Sequence, residues 1–137
     1  MTHVQMDLGA YVLGGLEPAE EERIRAHLAE CSECAAAHAE LEGLPQLLDL
    51  AVVAGAGEED PEGLSIERAM LGWQVAGALE KLTPEHRQVI RLAHVQGLAV
   101  REIAERLGLP EGTVKSRTWY ALRSLRLVLE EMGVRAA

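Results

Sequence analysis

The sequence predicts an all-α protein of two small helical units packed on one another. Three observations carry this expectation. Apolar residues make up 48% of the 137-residue chain but aromatics only 3%, with no Phe, so any core must be built from Leu, Val, Ile and Ala. Long stretches of Ala, Leu, Glu and Arg without β-branched runs favour helix. Residues 54–63, AGAGEEDPEG, combine Gly, Pro and charge without apolar periodicity and read as a linker. The expected units are therefore 1–53 and 64–137, each small enough to need a metal, a disulfide or its neighbour for stability.

In chain order, DLGAYVLGGL (7–16) places Leu8, Tyr11, Val12 and Leu16 on one face of a first helix. EPAEEERIRAHLAE starts a second, with Pro18 near its first position and Glu20, Glu21 and Glu22 where negative charge suits the helix dipole. It is expected to run to about Glu30. Ser32 is a candidate cap for a third helix through AAAHAELEGL, which Gly43 and Pro45 are expected to end. A fourth apolar segment covers Gln46 to about Val53. Beyond the linker a helix begins near Ser65, and another at the T-P-E start of Thr83.

The net charge of −9 conceals an asymmetry. Residues 1–60 hold two Lys/Arg, Arg23 and Arg25, against thirteen Asp/Glu; the remainder holds eleven against nine. The halves are thus electrostatically complementary, as expected either of a mask over a nucleic-acid surface or of a plain solvated surface. The N-terminus lacks a basic segment followed by an apolar run, and the most apolar stretch, 44–57, is interrupted by Asp49 and too short to span a bilayer. A cytoplasmic location is expected, and there two close cysteines favour metal binding or redox chemistry over a structural disulfide.

Both cysteines lie in HLAECSEC (27–34). Spacings of four and three residues bring His27, Cys31 and Cys34 to one helical face, and the C-x-x-C chelate survives a break at Ser32. A tetrahedral Zn²⁺ site needs about one ligand more, from His3, Glu30, Glu33 or His38. Spacing alone leaves open two buried cysteines beside an incidental histidine, or a redox dithiol. There is no H-E-x-x-H and no evident general base, so catalytic zinc, and enzymatic activity in general, is not expected.

The stretch from His3 to Leu50 resembles the zinc-associated anti-sigma domain, on the signature His27, Cys31, Cys34 and the lead-in DLGAYVLGGLEPAEEERIRAHL. The placement of His3 eight residues before Tyr11 resembles that of the upstream ligand in related sequences. The resemblance implies a structural Zn²⁺ held by His3, His27, Cys31 and Cys34. It also allows a redox switch in which Cys31 and Cys34 lose zinc and form a disulfide, since thiolate ligands are oxidisable.

The second half has the grammar of a helix-turn-helix: VREIAERLG, the turn LPEG, then TVKSRTWYALRSLR. Ile103, Ala104 and Leu107 have inward spacing, Gly108 supplies a left-handed end to the first helix, and Val114, Ala121 and Leu122 face the same core. Thr113, Lys115, Ser116, Arg117 and Thr118 remain around the start and outer face of the second helix, with Arg123 and Arg126 extending the basic side. Such side chains meet phosphates and base edges. The plain alternative is a solvated face of an ordinary bundle. Residues 65–133 resemble region 4 of extracytoplasmic-function sigma factors, on ALEKLTPEHRQVIRL, EIAERLGLPEGTVKSR and ALRSLR. The resemblance implies a four-helix unit that reads the promoter −35 element, with Thr113, Lys115, Ser116, Arg117, Arg123 and Arg126 as DNA-binding candidates. Val100 stands where many such sequences place a Ser or Thr cap.

These two resemblances are to domains that bind one another, normally as separate chains, so the chain reads as a fusion of an anti-sigma/sigma pair. Between a natural fused regulator and an engineered fusion, the gain in effective concentration from a flexible linker favours the second. No segment resembling region 2 is seen, so the chain alone is not expected to initiate transcription. The expected function is occlusion. Tyr11 of the first helix, with Leu47, Leu48, Leu50 and Val52 of the fourth, is expected to bind region 4. The acidic surface would lie near Lys115, Arg117, Arg123 and Arg126, excluding promoter DNA and RNA polymerase until release. The alternative is a stand-alone DNA-binding regulator using zinc as a staple.

Overall fold

The computed structural model describes residues 4–56 and 65–134, and in these every regular element is helical. A single 3₁₀ turn, Gln5–Asp7, leads into α1, Leu8–Leu13. Helix α1 is shorter than its apolar pattern because Gly14 takes the left-handed conformation at φ 77° and closes it. Helix α2, Pro18–Glu30, and α3, Ser32–Leu41, are separated by a single extended residue, Cys31, at φ −112° and ψ 107°. The break therefore falls one residue before Ser32, which is the first residue of α3 rather than its cap. Helix α4 spans Leu44–Ala56. Pro45 does not end α3; it sits in the first turn of α4, where a missing N–H costs nothing. The helix also continues three residues into the stretch read as linker, whose remainder, 57–63, lies outside the described residues.

The second half opens with α5, Ile66–Glu80, capped by Ser65, whose Oγ accepts from the Arg68 N–H at 3.2 Å. Helix α6, Pro84–Ile90, is capped in the same way by Thr83 Oγ1 from the His86 N–H at 3.3 Å. It widens into a π turn over Arg91–Val95. Helix α7, Val100–Leu107, ends at left-handed Gly108, φ 67°, and α8, Glu111–Glu131, follows after Leu109 and Pro110. Ile103 and Ala104 of α7 and Val114, Ala121 and Leu122 of α8 are buried as the helix-turn-helix pattern predicts.

Helix α8 is the axis of the molecule. Helices α5, α6 and α7 pack on it from the C-terminal half, and α1 and α3 from the N-terminal half, while α4 lies along α5. One apolar cluster consequently runs through both halves, from Leu8, Ile24, Leu41 and Leu48 to Val89, Ile103, Leu122 and Leu129. Among the described residues, no helix is long and apolar enough to cross a membrane.

Candidate metal centre and nucleic-acid interface

The candidate metal centre is built where α2 gives way to α3. His27 is in the last turn of α2, Cys31 is the extended hinge, and Cys34 lies in the first turn of α3. The hinge turns the C-x-x-C pair back toward the preceding helix. One ligand atom from each of the three residues lies within 4.8 Å of the other two. Both cysteines are buried, Cys34 completely, and they are not bridged to each other. His27 Nε2 is buried with no hydrogen-bond partner among the described residues. A buried ring nitrogen without a partner is costly unless a cation takes its lone pair. Two thiols and an imidazole are also the donor set that Zn²⁺ prefers, so the residues fit that ion.

Burial pushes the Cys34 thiol up, the nearby Cys31 and Glu33 add to this, and a hydrogen bond from the Val4 backbone opposes it. A bound cation would reverse the balance, since coordination deprotonates a thiol outright. The Val4 contact also brings the chain next to His3 close to Cys34. His3 itself, expected as the fourth ligand, lies outside the described residues. His38, its rival, is not in the cluster: it makes an edge-on contact with Tyr11, centroids 5.5 Å apart, and its Nδ1 lies 3.7 Å from a Glu42 carboxylate oxygen.

The nucleic-acid candidates sit on α8, and the N-terminal half covers part of them. Lys115 Nζ donates to Glu20 Oε2 at 2.8 Å, with side chains 18% and 24% exposed. This bond, followed by the neighbouring charges of Glu20, Asp7 and Glu111, holds the Lys115 ammonium above its ordinary range against the opposing effect of burial. Two further ion pairs cross between the halves with the same polarity, Glu17 with Arg101 at 3.8 Å and Glu40 with Arg126 at 3.7 Å, and Asp49 Oδ1 lies 2.6 Å from His94 Nε2. In each, the N-terminal half supplies the carboxylate. Thr113, Ser116 and Arg117 are half-buried. The expected acidic cover does not reach every cation. Arg123 is exposed and stacks over the Trp119 ring at 5.4 Å, and neither it nor Arg117 has an ion pair among the described residues. Thr118, read as an outer-face residue, is 1% exposed and donates to the Val114 carbonyl at 2.8 Å.

The apolar candidates divide. Leu47 and Leu48 are buried in the shared core, and Leu50 packs partly buried against it. Val52 is 41% exposed. Tyr11 packs against the core from α1 while its ring meets His38 of its own half.

The sequence reading missed three contacts. Gly9 is buried where α1 crosses α8, and a Cβ built on it would stand 2.8 Å from the Trp119 nitrogen. Gly15 accepts a hydrogen bond from the Val100 N–H at 2.9 Å. The cap position of α7 is Ala99, not Val100; the Ala99 N–H donates to Glu102 Oε1 at 2.9 Å. The glycine-rich run LGAYVLGG was the available signal for close backbone approach.

Comparison with known proteins separates the same two segments. The family described as "Putative zinc-finger" matches residues 2–35, and the family "Sigma-70, region 4" matches residues 78–127. The chain is 52% identical over 60 residues to the ECF RNA polymerase sigma factor SigL of Mycobacterium tuberculosis, covering 44% of this chain and 34% of that protein. It is 41% identical over 56 residues to SigK of Mycolicibacterium vanbaalenii, covering 41% of this chain and 29% of that one. It is 38% identical over 69 residues to SigE of Mycolicibacterium smegmatis, covering 50% and 27%. The chain thus spans about a third of the length of these curated relatives. The segment that matches the zinc-finger family carries His27, Cys31 and Cys34, and the segment that matches sigma-70 region 4 holds α7 and α8 as far as Leu127.

Proposed function

We propose that the N-terminal half is an anti-sigma clamp, held by zinc, that covers the −35-reading surface of the sigma region 4 module. The Glu20–Lys115 hydrogen bond carries this reading. It takes a cation from the start of the helix that would enter the major groove and gives it a carboxylate of the other half. A phosphate competing for Lys115 would have to displace Glu20, while Gly9 and α1 occupy the flank of the same helix at Thr118 and Trp119. The partners follow: promoter −35 DNA and RNA polymerase for the released module, in the cytoplasm, with regulation of transcription as the outcome.

Zinc would be held by His27, Cys31 and Cys34, with His3 as the fourth ligand in our assignment, supported by the approach of Val4 to Cys34. When bound it supplies a cross-link among α2, α3 and the N-terminal segment. The protein's own residues do the rest: Cys31 breaks the helix so that two ligands share one corner, and α1 carries the clamp onto α8. We assign this site a redox role as well. Peroxide would take two electrons from the paired thiolates and two protons from solvent, leaving as two waters while the Cys31–Cys34 disulfide forms and zinc is released. Peroxide treatment that leaves zinc bound and the halves together would end that assignment.

The test of the clamp is binding of the 137-residue chain to a duplex with a −35-like sequence, before and after zinc removal by a chelator. Binding only after removal is expected. Binding by the zinc-loaded chain would replace the clamp with the stand-alone DNA-binding regulator, for which the exposed Arg123 and the half-buried Arg117 would be the contacts.

A further inference from the structure

We infer that the clamp recognises the helix-turn-helix by its backbone geometry, through Gly9 and the Gly15 carbonyl, more than by its side chains. At the crossing of α1 and α8, a Cβ on Gly9 would lie 2.8 Å from the Trp119 nitrogen, 2.9 Å from its Cα and 3.0 Å from the Thr118 carbonyl carbon. All three are backbone atoms in the middle of a 21-residue helix, so none can swing aside as a flexible side chain would. Only a residue without a side chain lets the two helices approach this closely.

The second contact lies six residues further along the chain, at the turn between α1 and α2. The Gly15 carbonyl accepts from the Val100 N–H at 2.9 Å. Val100 is the first residue of α7, whose opening N–H groups have no partner inside the helix. Its cap residue is Ala99, which has no side-chain acceptor to offer. The N-terminal half therefore completes the first turn of the helix-turn-helix. The two contacts register against α7 and α8 together, and so sense the spacing and angle of the two helices. Glu20 with Lys115 and Glu17 with Arg101 flank them as side-chain contacts, which supply orientation and discrimination between partners.

The inference rests on the clamp reading only for the role of α8 as the DNA-reading helix. Its test is amide hydrogen exchange at Val100 in the full, zinc-loaded chain. Gly9→Ala is expected to raise that exchange at least tenfold. Gly77→Ala is the control, because a Cβ there meets nothing within 4 Å; it should leave Val100 unchanged. The double variant Glu20→Ala with Lys115→Ala is expected to change the exchange by less than threefold. The inference is overturned if Gly9→Ala leaves Val100 protected, or if the double variant exposes Val100 as strongly as Gly9→Ala does. Should Gly9→Ala lose zinc or helicity, the double variant decides alone, retained protection supporting backbone recognition and lost protection refuting it. DNA binding separates the two readings: a Gly9→Ala chain with Val100 exposed that still fails to bind a −35-like duplex counts against occlusion, not against the backbone contact.

Discussion

In the C-terminal half, Val89, Ile90, Ile103, Val114, Leu122 and Leu125 come from three helices and are each 1% exposed or less. In the N-terminal half the buried Leu8, Leu44 and Leu48 lie on α1 and α4, which pack on α8 and α5, while α2 brings only Ile24 inside over 13 residues and α3 contributes Cys34, Ala37 and Leu41. At about 25 cal/mol per Å² the first set is a dense core, whereas what α2 and α3 bury is sparse against the entropy of ordering two helices. The N-terminal half makes up the difference with a candidate metal corner and by leaning on α8. The difference teaches that the α2–α3 corner is the conditional part of the fold, which is the asymmetry the proposed mask requires.

Zinc removal is the strongest way to break that comparison. Structural zinc contributes about 10–16 kcal/mol in small metal-dependent domains. Chelation, or Cys34→Ser, should abolish hydrogen-exchange protection across residues 8–41 and keep it across 89–129, except at Val100, whose N–H loses the Gly15 carbonyl. If residues 8–41 stayed protected, packing on α8 would be holding that half and the metal would be incidental. The next largest effect is Leu122→Ala, in the apolar cluster that both halves share. A buried Leu→Ala change costs about 3–5 kcal/mol. It should lower the melting temperature of the zinc-loaded chain in a single transition, and two separate transitions would show that the halves do not share a core energetically.

Glu20→Ala sharpens the comparison at the interface, leaving Lys115 half-covered without its acceptor, at a cost of about 1–2 kcal/mol. The Lys115 ammonium is held above its ordinary value of 10.5, chiefly by the Glu20 hydrogen bond. A raised lysine pKa gives stability that is fully present below the unfolded value and is lost as pH rises through the folded one. The gap between wild type and Glu20→Ala should therefore stay constant from neutral pH to about 10 and shrink above it. A gap that closed below pH 9 in denaturant titrations would assign the effect to another group.

Much of this was legible in the residues, and the misses share a cause. Periodicity, capping residues and Gly108 located α2, α5, α6, α7 and α8, because those signals act within a few residues. The H-x3-C-x2-C spacing located the metal corner for the same reason. Pro45 was misread because a proline ends one helix or starts the next equally well, and only the packing of α4 along α5 decides. Thr118 looked polar and outward, yet it satisfies its hydroxyl on its own helix and goes inside. The glycine-rich run holding Gly9 and Gly15 signalled close approach but not which element approaches; their roles exist only once α8 and α7 are alongside.

The smallest effect expected tests whether α7 is short of a cap on its own account. Ala99 has the extended backbone of a cap residue, φ −71° and ψ 158°, and its N–H already donates to Glu102 Oε1. That is one half of a capping box, and a hydroxyl at position 99 would complete it by accepting from the Glu102 N–H. Gly15 does not compete, because its carbonyl serves the Val100 N–H instead. Ala99→Ser should thus stabilise the chain by about 0.5–1 kcal/mol, read from the midpoint of urea unfolding. The gain should be the same with and without zinc, since both partners of the new bond belong to the C-terminal half. A gain seen only in the zinc-loaded chain would mean that α7 forms its first turn only under the clamp, and the reading half would then be conditional too.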